Sequence, residues 1–320
     1  MHQLVVIPTA YVPMGLADAD MAQMLSFAMQ EKSEGTRRAY ASDWKIFCAW
    51  CDARGLTSLP AAPGTTARSL SGEATRGTKA STIGRRAAAI SHHHKLVRHE
   101  PPTNAESVKA VVRGIRRAIG CAPVRKAPAT ADLVMAMLEH CDGSLIGLRD
   151  RALLSLGFAG AFRRSELVAL EVSDLEATPD GYRCIIRRSK PDQDGLGQEI
   201  AIPRGCRIES VRAIEAWLTA SGITAGPIFR QIKKGGRIQA EALSRHSAAA
   251  IVKRYALAAG LDPALFAGHS LRAGLITSCA EAGAPVLKIQ EISRHKSLDM
   301  LSVYCRRADL FNGHATAAFL

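Results

Sequence analysis

The chain has 320 residues, 47% of them apolar, and a mean hydropathy of +0.01, the balance of a soluble globular protein with room for two cores. No tract is apolar and long enough to span a membrane, and the start lacks the basic n-region of a signal peptide. Net charge is +13 and unevenly placed: residues 36–126 hold 17 Lys and Arg against 5 Asp and Glu, the footprint of a polyanion binder rather than of a mixed solubilising surface.

In chain order, residues 1–17 read as irregular, and 18–32 as a helix through Met21, Met24, Leu25 and Met29. A stronger helix is predicted over 36–54, with Thr36 as N-cap, Gly55 as stop, and Tyr40, Trp44, Phe47, Cys48 and Cys51 at helical spacing. Arg37, Arg38 and Lys45 fall on another face. The stretch 56–80, with Pro60, Pro63, Gly64 and Gly77, shows little helical pattern. A helix follows from Ser81 or Thr82 to His94 with Arg85 and Arg86 between its apolar positions, and another over 104–118 carries Arg113, Arg116 and Arg117. These eight cations are the candidate DNA contacts of a helical first domain, 18–120. No apolar helix face accompanies the charge, which favours nucleic acid over a membrane.

Residues 121–129, with two prolines nearby and no periodicity, read as a linker to a second domain at 130–320. Helices are predicted over 130–141 and 145–159. Strands follow at 182–186 and 199–203, joined by the turn-rich 191–197, and helices dominate from 207 onward. The fold expected is mainly α with a small β-sheet.

Eight scattered cysteines suit reduced thiols in a cytoplasm, and Cys48 and Cys51, though spaced as a CxxC, fit core packing on a helix. His92, His93 and His94 point about 100° apart on a helix, so they cannot chelate one metal; DNA-facing imidazoles are expected there. Gly235 and Gly236 read as a turn, since the phosphate-loop pattern is missing. The carboxylates form no metal-binding set, and no cofactor is expected.

Four segments carry the chemistry: Arg163-Arg164-Ser165-Glu166 after Gly160, Arg188-Ser189-Lys190 leading into the hairpin turn, His269-Ser270-Leu271-Arg272, and His295 with Tyr304 nine residues on. Each is weak alone. In this order, behind a basic first domain, they resemble the tyrosine recombinases, the phage integrase-like family, over about 36–310. The resemblance implies a C-shaped two-domain clamp around duplex DNA. Arg163 and Arg272 would be phosphate-binding arginines, with Arg164 the alternative to Arg163 at the cost of putting Glu166 out of register. Glu166 would be the supporting carboxylate, Lys190 the hairpin lysine, His269 the partner of Arg272, His295 a phosphate ligand and Tyr304 the nucleophile. It further implies a synaptic tetramer on two DNA sites, with an accessory directionality factor as a further partner. Arg294 departs from the glycine common among relatives at that place.

Elementary chemistry agrees with those roles. Attack on a phosphodiester builds a second negative charge, which planar guanidinium forks meet without losing their own charge. A phenol of ordinary pKa about 10 needs cationic neighbours or a base to attack at neutral pH. His269 suits a proton acceptor or relay, and Lys190 an acid for the 5′-oxygen. The product would be a 3′-phosphotyrosine, formed without metal or ATP. Two rival functions stand beside this one: type IB topoisomerase-like relaxation, and a DNA-binding accessory protein without catalysis. The apolar Leu310, Phe311 and Phe319 of the tail suit docking, in cis or on a neighbour.

Overall fold

The computed structural model describes residues 23, 27, 31–121, 126–187, 197–301 and 304. The segment 1–17, most of the candidate helix over 18–32, and the tail 308–320 lie outside them; of 18–32, Gln23 and Phe27 are helical, and Glu31 and Lys32 lie in a turn before the first long helix. Two compact units divide the chain, residues 1–124 and 125–320. No helix among the described residues is long and apolar enough to cross a membrane.

The first unit is a helical bundle: α1 (Glu34–Asp52), α2 (Pro63–Thr75), α3 (Ala80–Leu96) and α4 (Glu106–Ile119). Helix α1 starts earlier than predicted because Ser33, not Thr36, is the N-cap; its hydroxyl accepts the Thr36 N–H at 3.3 Å. Asp43, Phe47 and Cys51 recur every four residues on its buried face, and burial pushes the Cys51 thiol up to about 11. Helix α2 corrects the weakly helical reading of 56–80. Pro63 sits in the first turn, where its missing N–H is harmless, and Thr66, Ser69, Leu70 and Glu73 form the buried stripe. In α4, Val108 and Ile115 face inward while Lys109, Arg113, Arg116 and Arg117 are exposed.

Two of the candidate DNA-contacting arginines serve the bundle itself. Arg85 bonds the buried Asp43 carboxylate through Nε at 2.7 Å and Nη2 at 3.1 Å. Arg86 is largely buried between Asp43 and Glu73, joining α1, α2 and α3. The imidazoles also turn inward, against expectation. His93 stacks on Trp44 with centroids 4.5 Å apart, and His92 lies against Tyr40. His94 is fully buried; its Nδ1 faces the Ile90 carbonyl at 2.8 Å, and its Nε2 faces the Ala61 N–H at 2.9 Å. A carbonyl only accepts, so Nδ1 carries the proton and Nε2 accepts: the ring is neutral.

Burial holds the His94 pKa below its ordinary 6.5. The unfolded chain therefore gains a proton before the folded one does. Stability present above pH 6.5 is lost as pH falls toward the folded-state value. Urea melts of the protein should show the first unit weakening from pH 7.5 to 5.5. His94→Leu should be weaker by about 1–3 kcal/mol at pH 7.5, since it orphans the Ala61 N–H, but should fall less steeply over that window. Equal slopes for the two proteins would remove His94 as the cause.

The second unit is built on α6 (Leu145–Ala159), capped by Ser144 and buried nearly all round from Gly147 to Phe158. Before it comes α5 (Ala131–Glu139); after it, α7 (Arg164–Ala169). An antiparallel sheet follows, β1 (Leu175–Thr178), β2 (Gly181–Ile186) and β3 (Gln198–Pro203), of which β1 was not foreseen. Cys184 pairs with Ile200 and Tyr182 with Ile202; Cys184, Ile186, Ile200 and Ile202 are buried. Helix α8 (Ser210–Ser221) buries Trp217, whose indole N–H donates to the Ile228 carbonyl at 2.9 Å.

Helices dominate beyond 207 as expected, with one addition not foreseen, a second hairpin of β4 (Arg230–Ile232) with β5 (Ile238–Ala242), turning at Gly235 and Gly236. Then come α9 (Arg245–Ala258), α10 (Ser270–Glu281) and α11 (Val286–Ser293), with residues 298–301 and Tyr304 helical. Asp150 of α6, wholly buried, accepts from Arg149 at 2.7 Å and from Arg254 of α9 at 2.7 Å, while Arg149 also donates to the Arg230 carbonyl. This cluster fixes α6, α9 and β4 together, and so fixes the turn that leaves α6.

Candidate active site

Helix α6 ends at Gly160, and the chain turns sharply before α7. Ala161 adopts φ +45, unusual for a residue with a Cβ, while Phe162 plugs the core beneath. Arg163 is the N-cap of α7, so its side chain leaves at the mouth of the turn. Glu166 lies under it. Its Oε1 accepts from Arg163 Nη1 at 2.7 Å, and its Oε2 from the Arg163 backbone N–H at 2.9 Å. The alternative, Arg164, lays its methylene stem against Gly268, where a Cβ would come 2.5 Å from Arg164 Cδ. Glu166 is in register with Arg163, as the three-residue spacing requires.

Arg272, one turn into α10 and 6% exposed, donates from Nη1 to the Ala161 carbonyl at 2.7 Å. The same turn therefore seats both arginines. His269 is the exposed N-cap of α10, three residues before Arg272. His295 follows α11, with its rim nitrogens 3.4 and 3.5 Å from Arg272 Nη2 and Nδ1 2.8 Å from the Ser293 hydroxyl. Tyr304 is half-buried beside Ile276, Ala280, Ile289 and Leu301, within electrostatic reach of Arg272.

Arg294 is the residue that sequence reasoning noticed only as a missing glycine. At φ 54 it keeps the left-handed conformation that glycine favours, yet points its side chain into the site. Nη1 donates to the Gly160 and Ile292 carbonyls at 3.0 and 2.8 Å; Nη2 donates to the Ala161 carbonyl at 3.1 Å and to Glu166 Oε2 at 2.9 Å. Arg163 Nη2 in turn donates to the Arg294 carbonyl at 3.3 Å.

Two guanidiniums thus bond one carboxylate, and the third, Arg272, lies within reach of its charge. Burial first, then the charges of Arg163 and Arg294, depress Arg272 to about 9, so it stays a cation at neutral pH. Burial, then the charges of Arg272, Arg163 and Arg294, push His295 down to about 4, so its imidazole is neutral at working pH. The arrangement is an anion seat in want of negative charge: rigid forks, a low-polarity surround and a surplus of cations.

Lys190, together with Arg188, falls outside the described residues, on the connection between β2 and β3 whose last pair is Ile186 with Gln198. Among the candidate DNA contacts, Arg38, Lys45, Arg113, Arg116 and Arg117 are exposed, Arg37 is partly so, and Arg85 and Arg86 have the internal partners already given.

Residues 129–310 match the model of the phage integrase family. The chain belongs to the phage integrase family of tyrosine recombinases. It is 41% identical over 293 residues to an integrase/recombinase xerD homolog of Selenomonas ruminantium, spanning 89% of this chain and 85% of that one. A tyrosine recombinase of Synechococcus elongatus is 30% identical over 316 residues, covering 93% and 92% of the two chains. Among solved structures, the Tn1549 transposon integrase in complex with transposon right end DNA aligns with TM-score 0.62 at 14% identity, over 91% of this chain and 96% of that one. A lambda integrase dimer bound to a COC′ core site aligns at 0.60 and 19% identity, over 90% and 93%. The last two speak to fold. The mainly helical recombinase with its small sheets shares that fold, and its activity is site-specific recombination.

Proposed function

We propose that this recombinase cleaves and rejoins duplex DNA through a 3′-phosphotyrosine at Tyr304, with Arg163 and Arg272 gripping the scissile phosphate. The observation that supports it most is the shared turn: Ala161 and Glu166 orient the two guanidiniums, with Tyr304 in reach of Arg272. In the forward step the Tyr304 oxygen bonds to phosphorus as the bond to the 5′-oxygen breaks. The phenolic proton passes to His269, and Lys190 supplies a proton to the departing 5′-oxygen. His295, neutral across the working range, donates a hydrogen bond to a phosphate oxygen without adding charge. Glu166 holds Arg163 in place. Resealing is the reverse, with a new 5′-hydroxyl as attacker.

Exchange between two duplexes requires four cuts, and each protomer carries one nucleophile, so four protomers act on two sites. Exposed Arg38, Lys45, Arg113, Arg116 and Arg117 meet phosphates, which makes binding fall with salt. An accessory factor setting direction fits the same scheme. A two-site recombination assay beside relaxation of a supercoiled plasmid tests the reading. Recombinant product is expected, undiminished by EDTA because guanidiniums neutralise the transition state. Relaxation without recombination would assign a topoisomerase, and activity lost to EDTA and restored by Mg²⁺ would overturn the mechanism.

A further inference from the structure

We propose that Arg294 is a positioning residue for the phosphate seat: it locks the Gly160–Ala161 carbonyls and Glu166 so that Arg163 and Arg272 converge, and it adds a third cation, itself buried, behind them. The proposal rests on the reading of Arg163 and Arg272 as phosphate ligands.

Helix α11 ends at Ser293, and the left-handed turn at Arg294 is conformationally costly for any side chain other than glycine. The side chain nevertheless makes four hydrogen bonds, to the two carbonyls of the turn, to Glu166 and to the Ile292 carbonyl in the last turn of α11. It is 7% exposed and its guanidinium carbon stands 5.5 Å from the Phe162 ring, against the aromatic that supports the turn. The Ala161 carbonyl is shared: Arg272 donates to it from one side and Arg294 from the other. Glu166 is shared too, one oxygen taken by the Arg163 guanidinium and the other by Arg294. Arg294 therefore touches a group held by each proposed phosphate ligand, and fixes both at once.

The charge balance leads to the same place. Arg163, Arg272 and Arg294 set against Glu166 leave two positive charges beside a neutral His295. A diester carries one negative charge and its pentavalent transition state two. The surplus matches the transition state better than the ground state, which is the condition for raising rate rather than affinity. A glycine at 294 would leave a surplus of one, would leave Glu166 Oε2 with the Arg163 backbone N–H in place of two donors, and would take the Arg294 donor from the Gly160 carbonyl.

The test measures single-turnover cleavage of a nicked suicide substrate, DNA affinity, and the His295 titration by NMR in the full chain. Arg294→Gly should fall roughly 10²-fold in cleavage rate, the scale of losing one oriented donor, while DNA affinity changes less than threefold. Its His295 should titrate higher than in the unaltered protein, because one neighbouring cation is gone. Adding Glu166→Gln should cost less in this background than alone, since the two side chains act as a unit. Arg294→Lys keeps charge but cannot span a carboxylate and two carbonyls, and should be slowed while folding normally; it carries the test if the glycine variant does not fold. Unaltered cleavage by Arg294→Gly, or by Arg294→Lys where that variant carries the test, would overturn the proposal. So would a His295 titration left unmoved by Arg294→Gly. Should the unaltered protein form no Tyr304 adduct at all, the proposed function fails instead, and the two failures are told apart by that control.

Discussion

Tyr304→Phe should abolish covalent capture of DNA while leaving binding and fold intact. The substitution removes one oxygen and keeps the ring that packs beside Ile276, Ala280, Ile289 and Leu301. Loss of a nucleophile in covalent catalysis lowers rate by about 10⁴-fold or more, because the atom that forms the bond is gone. Loss of a hydroxyl from a half-buried ring changes stability by only about 1 kcal/mol. A nicked suicide substrate, which traps the enzyme once the short strand departs, gives the readout as a slow-moving band on a denaturing gel. The variant should show no such band yet shift the same duplex on a native gel at near-normal concentration. Adducts at the normal rate would mean that another residue is the nucleophile.

Lys190→Ala should slow cleavage of ordinary DNA by roughly 10²–10⁴, the range of general acid catalysis. The departing 5′-oxygen is a poor leaving group, so its protonation controls the barrier. A 5′-bridging phosphorothiolate has a far better leaving group and needs little help. The same variant should therefore cleave that substrate at close to the normal rate. A phosphate-contacting or structural lysine would show equal defects on both substrates, and the acid would then be sought at His269. The comparison separates proton transfer from charge neutralisation, which a rate on one substrate cannot do.

Much of this was legible in the sequence because the decisive signals are local. Ser144 and the apolar run behind it mark α6 at the predicted 145–159, and the alternation through Cys184 and Ile186 marks β2. What escaped depends on partners distant along the chain. Arg85 and Arg86 resemble DNA-facing cations until Asp43 and Glu73 are brought to them across other helices. His94 resembles a surface imidazole until the Ala61 N–H reaches it from 33 residues away. Helix α2 hides behind prolines and small polar residues because its buried stripe includes Thr66 and Ser69, which hydropathy does not register. Strands β4 and β5 are too short to show a period. Arg294 differs again: the departure from glycine is visible in sequence, but its meaning depends on carbonyls more than 130 residues earlier.

Residues 126–131 have a bearing on how the protein is cut into parts. Composition places them around the end of a linker, yet the Ala127 N–H donates to the Leu265 carbonyl and the Ala129 N–H to the Ser270 carbonyl. The Ala131 N–H donates to the Ser278 hydroxyl, and Gly274 approaches so closely that a Cβ there would overlap the Ala129 carbonyl. This short stretch is a splint along α10, the helix that carries Arg272. A fragment beginning at residue 130 would lose the Ala127 and Ala129 bonds and bare the side of that helix against which Gly274 packs; one beginning no later than Lys126 retains the whole brace.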